Sequence, residues 1–191
     1  MSDSMVALDN RVYLLVGQQG AGKSEYAKRL IEQQPDLSFV SRDEILMKEF
    51  GTVFLDSYSG GHEYAYEIMY RALRDALSAK QGIRMLLDTW TGDKDDRNHL
   101  IARLREYGAD HVVALYFITP LPLVESWFWK KPGVAKISEM RAHRGEGLTF
   151  FSEDGPRRDY ETFHMFAKEI DSNGFDEVIR IDPSKELITI N

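Results

Sequence analysis

The sequence predicts an α/β fold, a parallel β-sheet covered by helices on both faces. Two observations predict it. Short apolar runs alternate along the chain with helical stripes, and those runs are apolar at successive positions rather than at every second one. A strand buried on both faces gives that pattern, and alternating strand and helix makes a parallel sheet.

The elements follow in order. Residues 12–16 form an apolar run that stops at Gly17, the first predicted strand. Residues 24–33 read as a helix stopped by Pro35, and residues 37–40 as a second short strand. Over residues 62–80, Ala65, Met69, Ala72, Leu73, Ala76 and Leu77 fall at helical steps, with Glu67 and Arg71 four apart on the wet side. Gly82 ends that helix, and residues 85–87 lead as a third strand into Asp88. Arg84 is an odd member of that strand, tolerable at a sheet edge or with its side chain reaching outward. Residues 94–107 make a charged helix with Leu100, Ile101 and Leu104 inward, closed by Gly108. Residues 112–118 form the fourth strand, ending at Pro120, and a less regular stretch follows. Phe163, Phe166, Ala167 and Ile170 define another helix, Gly174 ends it, and residues 177–181 form the fifth strand. Ligands of such sheets bind at the carboxyl ends of the strands, so the chemistry is expected just after residues 16, 40, 87 and 118.

Composition bounds the rest. The 191 residues are 43% apolar and 29% charged, enough for one ordinary core, and one domain over residues 1–191 is expected. A net charge of −7 excludes non-specific coating of nucleic acid but leaves room for a local phosphate pocket. With no cysteine, disulfides, Cys-ligated zinc, iron–sulfur clusters and thiol catalysis are excluded. The first ten residues do not read as a signal peptide, and no apolar run approaches the ~20 residues of a membrane span. A soluble, cytoplasmic protein with no membrane partner is expected. His62, His99, His111, His143 and His164 form no pair at metal-ligand spacing.

The strongest signal follows the first strand: Gly17-Gln18-Gln19-Gly20-Ala21-Gly22-Lys23-Ser24, a match to G-x-x-x-x-G-K-[ST] at every fixed position. Glycines there let the backbone turn tightly and aim successive N–H groups at phosphate oxygens. The positive end of the next helix adds to the cradle, the Lys23 ammonium reaches the terminal phosphates, and the Ser24 hydroxyl ligates Mg2+. All eight residues are therefore expected to bind a nucleoside triphosphate. Asp88, at the end of the third strand, is the expected carboxylate on the Mg2+ side, either through a bound water or by orienting Ser24.

The second strand runs into Ser41-Arg42-Asp43-Glu44. A carboxylate beside the γ-phosphate can take the proton of an attacking hydroxyl, and Asp43 is the expected base. Arg42 is expected to hold an anionic group of the acceptor. The same residues also read as a helix start, with Ser41 as N-cap and the acids on the helix dipole; both readings can hold together. A basic lid is expected over about residues 128–150: Lys130, Lys131, Lys136, Arg141 and Arg144 stand there against Glu139 and Glu146. Phosphoryl transfer needs such cations against the γ oxygens, so Lys131, Arg141 and Arg144 are read as catalytic. Trp127 and Trp129 are read either as core or as a stacking surface for a base or sugar. Residues 50–62, rich in Gly, Tyr and Ser, are either an acceptor-binding loop or a plain connection.

The order GQQGAGKS, SRDE, LLDT and a basic lid resembles the small P-loop kinases of the adenylate-kinase-like group, and most of all the kinase domain of phage-type polynucleotide 5′-hydroxyl kinases. The closing phrase GFDEVIRI resembles their last strand. The resemblance implies a three-layer P-loop sandwich with strand order 2-3-1-4-5, ATP as donor, and Asp43 as base towards a hydroxyl. Leu46 stands where those kinases carry an acceptor-binding Arg. Trp127 and Lys131 stand where they carry two lid arginines, and Lys cannot reproduce a bidentate guanidinium clamp.

The sequence therefore reads as an ATP- and Mg2+-dependent phosphotransferase with a hydroxyl-bearing acceptor, either a polynucleotide 5′ end or a small metabolite such as a nucleotide sugar. An NTP-binding ATPase or switch without an acceptor is the alternative from another class.

Overall fold

Strand β1 (Arg11–Val16) shows why the sheet sits where it does. Residues 12–16 are all buried, and the strand alternation sends them into two separate cores. Val12, Leu14 and Val16 pack with Met69, Leu73 and Leu77 of one helix and Leu100, Ile101 and Leu104 of another. Tyr13 and Leu15 pack on the opposite face with Tyr26, Ala27 and Leu30 of the helix that follows β1. A strand with two apolar faces can only be satisfied by two helical layers.

The computed structural model describes residues 8–55, 59–79, 81–131, 134, 154–185 and 187–190. After β1 come α1 (Lys23–Gln33), β2 (Ser38–Ser41), α2 (Arg42–Phe50), α3 (Gly61–Ala79), β3 (Arg84–Asp88) and α4 (Lys94–Glu106). Then come β4 (His111–Phe117), α5 (Leu121–Lys130), α6 (Gly155–Phe166), a 3-10 turn (Ile170–Ser172) and β5 (Glu177–Ile181). The five strands are parallel in the order β2-β3-β1-β4-β5, the order expected. No helix among the described residues is long and apolar enough to cross a membrane.

The helix start read at Ser41 is borne out and runs over residues 42–50, with Ser41 capping it by accepting the Glu44 N–H at 3.3 Å. Several other local expectations are corrected. The stretch after β4 is helical too, with Pro122 in the first turn, where its missing N–H costs nothing. Ala72 faces solvent rather than the core. The helix read from residues 163–170 runs earlier, over Gly155–Phe166, leaving Phe166 exposed and Ile170 buried in the 3-10 turn. Arg84 stands in an interior strand, not an edge. Its guanidinium leaves the sheet at the strand's start and pairs with Asp36, Gln34 and the Ile190 carbonyl.

Asn10, just before β1, is a buried knot. Its Nδ2 donates to the carbonyls of Leu77 (3.1 Å) and Gly108 (3.0 Å), and its Oδ1 accepts the Ile83 N–H at 3.0 Å. One side chain thus joins the end of α3, the turn after α4 and the entry to β3. Removing it orphans buried backbone groups, so Asn10→Ala is expected to cost about 2–3 kcal/mol in urea unfolding, while Asn10→Asp, which loses both donors, costs no less.

Candidate active site

The loop between β1 and α1 is shaped by close approach. Gly20 and Gly22 take φ of 76° and 86°, a region where a side chain is strained. A Cβ at Gly22 would meet the Trp127 ring at 2.9 Å, and one at Gly20 the Val124 carbonyl at 2.8 Å. Helix α5 therefore lies directly on the loop, and only glycine fits beneath it. Thr119 braces it from below, donating its hydroxyl to the Ala21 carbonyl at 2.7 Å. Lys23 is partly buried in the cavity wall, and its ammonium donates to the loop carbonyls of Gly17 (2.7 Å) and Gln18 (3.0 Å). Burial pulls its pKa down, and the nearby Asp88 carboxylate opposes that pull most strongly.

All loop residues but Gln18 line one cavity of about 690 Å3. Gln18 does not belong to its wall. The residue is 1% exposed, and it is its backbone carbonyl that receives Lys23. The Ser24 hydroxyl stands 3.4 Å from Oδ2 of Asp88, which is buried and whose pKa is raised by that burial against the pull of Lys23. The neighbouring Thr89 hydroxyl, also in the cavity wall, is buried without a hydrogen-bond partner among the described residues. A hydroxyl, a carboxylate and a spare hydroxyl are the oxygen donors a hard cation takes, and few of them suffice when phosphates complete its shell. No group of three His, Cys, Asp or Glu side chains competes for a metal among the described residues.

The strand order divides the cavity about the loop. On the β2/β3 side stand Arg42, Asp43 and residues 88–92; on the β4/β5 side stand Trp127, Lys130, Lys131 and Pro183. The Arg42 guanidinium pairs with Oδ1 of Asp43 at 2.9 Å, donates to the Tyr66 hydroxyl at 3.2 Å and lies over the Tyr66 ring. Asp43 and Lys131 are both close enough to act electrostatically on Lys23 and Asp88. Lys131 also lies over the Phe54 ring at 5.9 Å. Trp127 is half-buried in the cavity wall and Trp129 is exposed; the buried aromatic of that helix is Phe128. Lys136, Arg141 and Arg144 lie outside the described residues.

No sequence pattern singles out Asp159. On α6, it accepts the Gln19 N–H at 3.2 Å, so a carboxylate occupies one of the loop's amides. Burial pushes its pKa up to about 6 against the Gln19 hydrogen bond and the Lys23 charge. Arg97, fully buried on α4, is likewise invisible to periodicity.

The family model for the AAA domain called AAA_33 matches residues 12–146. The chain belongs to that family. Among curated proteins it is similar to an adenylate kinase of Deinococcus deserti, 28% identical over 127 residues, which cover 63% of this chain and 60% of that one. The chain thus spans less than two thirds of that relative's length. Among solved structures it resembles a chain of the Pnkp1/Rnl/Hen1 RNA repair complex, with 14% identity, a TM-score of 0.64, and coverage of 88% of this chain and 49% of the other. It also resembles the shikimate kinase of Acinetobacter baumannii, with 15% identity, a TM-score of 0.50, and coverage of 91% and 84%. At such identities the likeness shows the fold, that of a P-loop kinase, with the sheet order found here.

The raised Asp159 gives a pH signature for this AAA_33 chain. A carboxyl whose folded pKa lies above its ordinary value of 3.8 stabilises the fold fully below that value, and the benefit is lost as pH rises through about 6. Asp159→Asn keeps an acceptor for Gln19 without the charge. Its stability relative to the parent should therefore climb between pH 4 and 7 in paired thermal melts, whereas a flat difference means an unperturbed carboxyl. At pH 8 the variant is expected to bind inorganic tripolyphosphate about fivefold more tightly by calorimetry, since a like charge worth ~1 kcal/mol is gone.

Proposed function

We propose that the protein is an ATP-dependent kinase that transfers the γ-phosphoryl group to a hydroxyl of its acceptor. One observation carries the reading: a single cavity holds the loop and Lys23, the Ser24–Asp88 pair, and the Arg42–Asp43 pair. A donor's phosphates on the loop and an acceptor beside Asp43 would then share one enclosure, as in-line transfer requires.

Loop amides and the Lys23 ammonium take the β and γ phosphates, while Trp127 and Pro183, both against Gly22, flank the donor on the β4/β5 side. Ser24 and Asp88 are the residues that would hold Mg2+, which supplies charge neutralisation to the phosphates when bound. Asp43, anchored by Arg42, accepts the acceptor's hydroxyl proton. The freed oxygen forms the new bond to the γ phosphorus as the bond from that phosphorus to the β–γ bridging oxygen breaks, and ADP leaves. Lys131 adds positive charge beside Lys23, and Arg141 and Arg144 are proposed to join it from the basic segment. Arg42 also faces the acceptor half, where it can hold an anionic group. The likeness to an RNA repair protein and to a shikimate kinase supports a hydroxyl acceptor of either size.

The test is a screen with γ-labelled ATP over 5′-hydroxyl oligonucleotides and hydroxyl-bearing metabolites. Label transfer is expected to fall about 100- to 10,000-fold in Asp43→Asn, with ATP affinity within about threefold of the parent. Lys23→Ala should lose transfer by about 100-fold or more and weaken nucleotide binding too. Slow hydrolysis indifferent to Asp43→Asn, with no acceptor labelled, would overturn the proposal in favour of an ATPase.

A further inference from the structure

The acceptor half of the cavity contains a residue that the transfer chemistry does not use. Trp90 follows β3 two residues after Asp88, lines the same cavity as Arg42 and Asp43, and remains 45% exposed. No aromatic ring of the described residues is stacked on it. A large apolar side chain left open in a cavity wall beside Arg42 and Asp43 is more telling than a scattered surface one.

Its position is fixed. The Gly92 backbone lies against the indole, so that a Cβ at residue 92 would run into the ring. The peptide on that side is held by Arg97, which is wholly buried. Its Nη1 donates to the carbonyls of Thr91 (3.1 Å) and Gly92 (2.9 Å). Its Nη2 donates to the Phe166 carbonyl at 2.8 Å, and its Nε to Oδ1 of Asn173 at 2.5 Å. Four bonds from one guanidinium tie the loop carrying Trp90 to α6 and to the turn before β5. The backbone beside the indole is thus held in place.

We infer that Trp90 is a specificity-determining residue whose open indole surface stacks on a planar ring of the acceptor. This rests on the proposed kinase reading. Topology separates the ring from the donor's base: Trp90 is on the β2/β3 side, Trp127 and Pro183 are on the β4/β5 side, and the loop lies between them. With Arg42 in the same half, the acceptor class is a hydroxyl compound bearing both a flat ring and an anionic group. A polyol or a simple hydroxy acid offers nothing to the indole.

Two probes differing in the ring alone test this: cytidine 3′-monophosphate and the methyl riboside 3-phosphate, in which a methoxy group replaces the base. The parent protein is expected to prefer the ring-bearing probe by about tenfold or more in kcat/KM, carried mainly by KM. Trp90→Ala should bring that ratio near one, and Trp90→Phe should restore most of it. A parent ratio near one, or a ratio unmoved by Trp90→Ala, overturns the assignment while leaving the kinase reading intact. If the parent phosphorylates neither probe, fluorescence decides. In the Trp127→Phe/Trp129→Phe background Trp90 is the remaining tryptophan of the three. Quenching by the cytidine probe and not by the riboside supports stacking, and equal or absent quenching rejects it.

Discussion

One ammonium organises this protein. Lys23 is partly withdrawn from water at the start of α1, where two loop carbonyls receive its hydrogens and Asp88 opposes the loss of its charge. Removing a cation from water is costly unless anions and hydrogen-bond acceptors surround it. The surroundings supply both, which fixes the neighbouring architecture. The loop must curl so that its carbonyls face inward, glycines must stand where α5 presses on it, and β3 must end on a carboxylate. The central place of β1 in the sheet follows from the same need, since it lets β3 and β4 deliver side chains from either flank.

The two flanks differ in chemistry. The β2/β3 side gathers carboxylates, a guanidinium held by a tyrosine, and an open indole. The β4/β5 side gathers lysines, a half-buried tryptophan and a proline. The carboxylates of the cavity's strand ends thus lie on one side of the loop, with Arg42 neutralising one of them, and the lysines on the other. That sorting suits a reaction in which one partner gives up a proton and the other carries several negative charges. Asp159 is the exception, an acid reaching in from α6 to an amide of the loop.

What the sequence revealed follows the range of the interactions involved. Strands buried on both faces and the cradle motif are local patterns, so the parallel sheet and the positions of Lys23, Ser24 and Asp88 were readable in advance, while the strand order came from the family resemblance alone. Helix α2 was half-readable, since Ser41 is both a cap and part of the SRDE phrase. The residues missed act across the chain. Asp159 meets Gln19 over 140 positions, Thr119 meets Ala21 over 98, and Arg97 meets Asn173 over 76. Arg97 was hidden doubly, because a charged side chain in a charged helix reads as solvated. Its burial depends on carbonyls that only the folded chain brings together.

That guanidinium has a consequence for selectivity. The segment after β3 is held rigid before any partner arrives, so the entropy of ordering it is spent during folding and not at each encounter. A preorganised wall rewards the right shape sharply and adapts poorly to the wrong one. If an acceptor binds against this wall as proposed, damage to the clamp would blur discrimination between acceptors at a stage when the rate of transfer had barely changed.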